Sequence, residues 1–153
     1  MGELREVKVD LIQYCTSFID NQINHVQAVI NSAKESAQNE SKSSAGDKHE
    51  TGKSLLQLEQ ENNAILLRKM QSQKPVIQIL KEYTPKETVS LGSLIETNLG
   101  FYFIAIGIGL VKLNTQDFFI ISPTAPVGKL FIGKMIGDQV SFNGKNITIL
   151  DFC

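Results

Sequence analysis

Residues 38–50, Gln38-Asn39-Glu40-Ser41-Lys42-Ser43-Ser44-Ala45-Gly46-Asp47-Lys48-His49-Glu50, interrupt two long stretches of heptad-like spacing. The stretch is polar and small, with nothing to hold residues 38–46 in one shape, so a loop is expected there. On its N-terminal side, residues 3–37 contain no Gly or Pro. Apolar or small residues recur at Leu4, Val7, Leu11, Tyr14 and Phe18, then at Ile19, Ile23, Val26, Ile30, Ala33 and Ala37. The alternating steps of three and four are those of a coiled-coil seam, and the extra step between the two series is a stutter. At 1.5 Å per residue this helix is about 50 Å long. On the C-terminal side a second helix is expected from near Glu50, with a seam at Leu55, Leu58, Asn62, Leu66, Met70, Gln73, Ile77 and Leu80. Pro75 should kink or break it, since proline removes a donor and clashes with the preceding turn. Two long helices joined by a short loop pack antiparallel most economically.

After residue 83 the pattern changes. Tyr83-Thr84-Pro85-Lys86-Glu87-Thr88 contains the linker, residues 84–88. Val89–Thr97, Phe101–Ile106 and Phe118–Ile121 read as strands, with Asn98-Leu99-Gly100 a turn between the first two and glycines and Asn114-Thr115-Gln116 between the others. Pro126–Ile132 reads as a short helix with proline in its first turn. Val140–Phe142, Asn143-Gly144 and Asn146–Leu150 form a hairpin signal, because Asn-Gly supplies the positive φ angles of a type I′ turn. The expected class is therefore α+β: a helical hairpin over 1–83 with its tip near 38–50, a linker at 84–88, and a β-rich domain over 89–153.

Charge narrows the function. The net charge is −1; residues 1–83 carry 10 basic and 11 acidic side chains, and residues 84–153 carry five of each. Neither part has the basic excess that duplex DNA or RNA binding usually shows, so direct nucleic-acid binding is disfavoured as the main role, and no specific DNA sequence is expected as a partner. Hydrophobic content of 42% supports a packed core. Cys15 and Cys153 are expected to be free thiols in a reducing cytoplasm. No basic start leads into a long apolar run, and Phe101–Val111 is too short to span a bilayer, so neither a signal peptide nor a membrane segment is expected.

Chemistry concentrates at the hairpin turn. Asp47 and Glu50 stand three residues apart, which places them on one face if the second helix starts near Asp47. The same spacing is a capping box, with Asp47 as N-cap and Glu50 at the third position; a cap can also be a ligand. Gly46 and Gly52-Lys53-Ser54 miss the phosphate-loop pattern by one residue, and a helix stands where a strand should precede it. His49 reads as an exposed loop histidine and His25 as a flank residue. No Cys/His cluster has zinc spacing.

On these residues the chain resembles the GreA/GreB family of transcript-cleavage factors. That family joins an antiparallel coiled coil to a C-terminal FKBP-like domain, and its tip carries Gly-Asp, two variable residues and Glu, as in Gly46-Asp47-Lys48-His49-Glu50. Its C-terminal signature is matched by Pro126, Gly128, Lys129, Gly133-Lys134, Gly137-Asp138 and Val140. Three departures mark a divergent branch: Thr51-Gly52-Lys53-Ser54 stand where the family runs Asn-Ala-Glu-Tyr, Ala125 stands for the serine before Pro126, and the loop before the tip is rich in serine. The resemblance implies a cytoplasmic protein that binds RNA polymerase and passes its coiled coil through the secondary channel. It contacts the RNA 3′ end only indirectly. Asp47 and Glu50 would stabilise a second Mg²⁺ shared with the polymerase, so that the polymerase cleaves the backtracked transcript. The isolated chain would need no cofactor and hydrolyse nothing. The alternatives are a non-cleaving polymerase-binding regulator of the same family, a prolyl isomerase suggested by the FKBP-like fold, and a coiled-coil scaffold.

Overall fold

The computed structural model describes residues 2–42 and 49–153, with side chains described at all of these but 37, 39–42, 49–51 and 53. The elements run α1 (Gly2–Lys42), α2 (His49–Ser72), α3 (Lys74–Lys81), β1 (Leu94–Thr97), β2 (Gly100–Ile104), β3 (Gly109–Leu113), β4 (Gln116–Ile121), α4 (Pro126–Phe131), β5 (Gln139–Phe142) and β6 (Lys145–Phe152). The class is α+β. By compactness the chain divides into two units: Met1–Thr16 with Pro75–Cys153, and Ser17–Lys74.

The unit Ser17–Lys74 is helical. On α1, Ile19 and Val26 are buried, seven residues apart and therefore on one face. On α2, Leu56, Gln60, Asn63, Leu67 and Met70 are half-buried, whereas Leu55, Leu58, Ile65 and Leu66 are exposed. Between Leu55 and Leu66 the protected residues thus lie one or two positions beyond the expected seam, whereas its later members Met70, Gln73, Ile77 and Leu80 are protected as expected. The doublets Leu55-Leu56 and Leu66-Leu67 offer two stripes of equal apolarity, and periodicity alone does not choose between them. Lys74 Nζ lies 3.7 Å from Asp20 Oδ1. α1 continues to Lys42, so residues 38–42 are helical rather than the start of a loop; nothing in them breaks a helix, and polar residues continue one at little cost. Pro75 acts as expected: α2 ends at Ser72, the Gln73 amide turns back to the Met70 carbonyl at 3.1 Å, and α3 begins with the proline in its first turn.

The other unit is built on a sheet of order β3-β4-β2-β1-β6-β5. All neighbours are antiparallel except β2 and β4, which pair in parallel with Phe101 opposite Phe118 and Ile104 opposite Ile121. Strand alternation divides the side chains between two faces. One face carries Ile95, Ile104, Ile147 and Ile149, which cluster with Phe131 of α4, Val89, Val140 and Phe152. On the other, Leu94, Phe103, Val111, Phe118 and Ile120 are buried, and Leu11, Cys15, Ile77 and Leu80 add buried side chains from the helical parts of the same unit.

Two strand expectations are corrected. Only Leu94–Thr97 of the stretch 89–97 is a strand. Before it the chain turns, with the Ser93 amide bonded to the Ser90 carbonyl at 3.0 Å. β3 was not anticipated, because Gly107 and Gly109 punctuate a five-residue edge strand whose Leu110 is exposed. The remaining signals read correctly. Asn143 and Gly144 have φ of 50° and 74° and join β5 to β6, and α4 carries proline at its start.

Candidate functional site

Asp47 lies outside the described residues, as does the side chain of Glu50; only the backbone of Glu50, the second residue of α2, is placed. Their capping and ligand roles are therefore left where the sequence puts them. Gly52, one of the departures from the family pattern, sits within the first turns of α2 with open space around its Cβ position. His25 is exposed on α1. Among the described residues no group of three or more His, Cys, Asp or Glu is placed to hold a metal ion, and no helix is long and apolar enough to cross a membrane.

The residues of the C-terminal signature are all described, and four of them have a defined task in the chain path. Gly128 on α4 packs so closely on the Ser122–Pro123 backbone that a Cβ would collide with the Ser122 carbonyl oxygen. Gly133 and Gly137 hold φ of 81° and 92°, the left-handed region that glycine adopts without penalty. Their amides donate to the carbonyls of Val89 and Ile149, each at 2.8 Å. Asp138 accepts the Met135 amide on Oδ2 at 2.8 Å and closes the turn that leads into β5. Ala125 supplies no side-chain cap to α4. Instead the Ser122 carbonyl accepts the Ala125 amide at 3.1 Å, and Ser122 Oγ accepts the Thr124 amide at 3.2 Å.

Two features were not legible in the sequence. The first is a buried lysine. Lys8 Nζ donates to the Cys153 main-chain oxygen at 3.1 Å and sits 3.3 Å from the centroid of the Tyr83 ring. A Cβ on Gly92 would press on that same ring, at 2.6 Å. The Tyr83 hydroxyl meets Ser93 Oγ at 3.3 Å. Burial lowers the Lys8 pKa to about 8, against a smaller opposing influence of Cys153. Burial also raises the Cys153 thiol, and pushes that of Cys15 up to about 12, so neither cysteine is a nucleophile near neutral pH. Both are free, as expected.

The second feature is aromatic. Tyr102 stacks on Phe119, with centroids 5.1 Å apart, and tilts against Phe131 at 5.0 Å. Beside them Leu99, Phe142, Lys145 and Ile147 complete a shallow groove of about 310 Å³. Alternation along β2 and β4 would have predicted that Tyr102 and Phe119 share a face, but only the parallel register sets them side by side.

No protein-family model, curated protein or solved structure compared with the chain matches it.

Proposed function

We propose that this chain is a GreA/GreB-like factor that binds RNA polymerase, inserts an antiparallel coiled coil into the secondary channel and stimulates cleavage of backtracked transcripts. The supporting observation is that four residues of the C-terminal signature have defined tasks in the chain path. Gly128 permits a close approach, Gly133 and Gly137 hold positive φ, and Asp138 closes a turn. Matching such residues by chance is harder than matching surface positions, since each is tied to a particular chain path. A six-stranded mixed sheet with one short helix on a face is compatible with an FKBP-like domain. The seven-residue spacing of buried Ile19 and Val26 on α1 and the half-buried stripe on α2 are what an antiparallel pair of these helices would need, and Lys74 at the start of α3 pairs with Asp20 of α1.

Under this reading the tip supplies what the polymerase lacks. Asp47 and Glu50 are hard oxygen donors, the type magnesium takes, and two carboxylates alone leave an octahedral ion incomplete. The rest of the shell belongs to the polymerase, so the chain by itself is not an enzyme. When bound, such an ion would supply Lewis-acid activation of a water. Asp47 would hold the ion directly or through water, and Glu50 would assist it or orient the water. The test has two stages. Purified chain is first mixed with core polymerase and run on a sizing column; co-elution supports the docking part of the reading, and separate elution removes it. Stalled complexes are then assayed for shortened transcripts, and binding without shortening leaves the non-cleaving regulator instead.

A further inference from the structure

We propose that a groove in the sheet-bearing unit is a docking site for a protein segment carrying an arginine or lysine beside apolar side chains. The groove encloses about 290 Å³. Its floor is apolar: Leu4 and Val7 from α1, Phe101 from β2 and Phe118 from β4, whose rings lie 5.4 Å apart and tilted by 44°. Its rim carries three carboxylates, Glu3, Glu96 and Asp151, and no basic residue lines it.

The charge arrangement is unfavourable for the chain alone. Glu96 and Asp151 are directly opposite on antiparallel β1 and β6, so they share a face, and like charges so placed repel. Asp151 Oδ1 accepts the Phe152 amide at 2.8 Å, which satisfies one of its several acceptor positions. The one ion pair formed among the described residues is Lys74–Asp20, elsewhere in the chain. A like-charged pair with no ion-pair partner among the described residues, over an apolar floor, is the kind of local conflict that marks a functional surface.

The chemistry selects the occupant. Anionic partners such as nucleic acid or an acidic lipid surface are excluded by sign. A bare metal ion is disfavoured, since these carboxylates are not gathered closely enough to hold one. The volume is at the lower end for small-molecule pockets, enough for one or two side chains rather than a cofactor. An extended cation with an apolar stem satisfies both parts. Its head meets the carboxylates, and its stem and neighbours cover the floor, where the half-buried Phe101 ring favours guanidinium. Charge complementarity of this kind fixes register and speeds encounter. The inference rests on the polymerase reading only for the identity of the protein that carries the segment.

The test uses the full chain labelled with ¹⁵N and three short probes: acetyl-Leu-Arg-Leu-amide, acetyl-Leu-Glu-Leu-amide and magnesium chloride. The arginine peptide is expected to give saturable shifts centred on Val7, Glu96, Phe101, Phe118 and Asp151, weakening as salt rises. The paired substitution Glu96→Gln and Asp151→Asn should weaken it at least about tenfold. Glu3→Gln, on an exposed helical position, provides an arm that leaves the sheet untouched and should weaken it less. Equal shifts with the glutamate peptide, saturation by magnesium alone, shifts centred elsewhere, or no shifts would each overturn the proposal. Peptide binding by a chain that does not co-elute with polymerase would leave the groove standing and remove the polymerase reading.

Discussion

Replacing Lys8 with methionine should make the protein more stable at neutral pH and less stable in strong base. Lys8 is 7% exposed, and burial lowers its pKa from 10.5 to about 8. At 1.36 kcal/mol per unit, the buried ammonium costs roughly 3 kcal/mol relative to the neutral amine. Methionine keeps the apolar stem and removes that cost. It also loses a hydrogen bond to the Cys153 oxygen, worth about 1 kcal/mol, and a cation–π contact with Tyr83 of about 1 kcal/mol. The Cys153 oxygen keeps the Leu94 amide at 3.0 Å, so it is not left bare. The balance puts Lys8→Met about 1 kcal/mol ahead at pH 7. Between pH 8 and 10.5 the unfolded chain holds the Lys8 proton and the folded chain does not, so this group's contribution to wild-type stability rises with pH. Above pH 10.5 the penalty is gone while the hydrogen bond remains, and the variant should trail by about 1 kcal/mol. Arg5, Lys81, Tyr83 and Cys153 line the same pocket; Cys153 is electrostatically coupled to Lys8, so removing the lysine raises that thiol further. Urea unfolding followed by circular dichroism at 222 nm, at pH 7, 9 and 10.5, measures the difference. A variant less stable at pH 7, or a difference that does not change with pH, would refute the reasoning.

Three further outcomes follow from packing. Phe131→Ala should cost about 3–5 kcal/mol, because Phe131 is fully buried at the centre of the α4 side of the sheet, and thermal melting should show it. Gly128→Ala should cost about 2 kcal/mol or more, since the added methyl meets main-chain atoms of Ser122 that cannot swing aside; a drop in melting temperature with an unchanged spectrum is expected, and an unchanged melting temperature would contradict the close packing of α4. Cys15, held at about 12, should resist iodoacetamide at pH 8, where roughly one molecule in ten thousand carries the thiolate, and react on unfolding in urea; fast labelling of the native chain would show the thiol is not buried.

Much of this fold was readable because it depends on local signals. Pro75 cannot continue α2 and so begins a new helix, Asn143-Gly144 turns a hairpin by its own backbone preference, and Pro126 starts α4. What escaped depends on partners distant in sequence. β3 is short and flanked by glycines, and it is a strand only because β4 pairs with it. The choice between Leu55 and Leu56 as the protected side of α2 is made by what packs there, not by period. Lys8 lies on a helical stripe that reads as surface, yet its amine is tied to a residue 145 positions away. The acidic groove follows the same rule: Glu3, Glu96 and Asp151 come from three separate elements, and no window of sequence contains them together. The tip is the reverse case, with Asp47 and Glu50 legible as a motif and outside the described side chains.

The most direct measurement is transcript shortening in stalled elongation complexes, with wild-type chain and with the Asp47→Ala and Glu50→Ala variants, alongside polymerase binding by each. Wild-type chain should shorten the RNA from its 3′ end. Both variants should still bind and should lose most of that stimulation, on the order of a hundredfold for a carboxylate that supports the catalytic ion. Undiminished shortening by the variants, or variants that fail to bind polymerase at all, would contradict a tip that acts through its carboxylates.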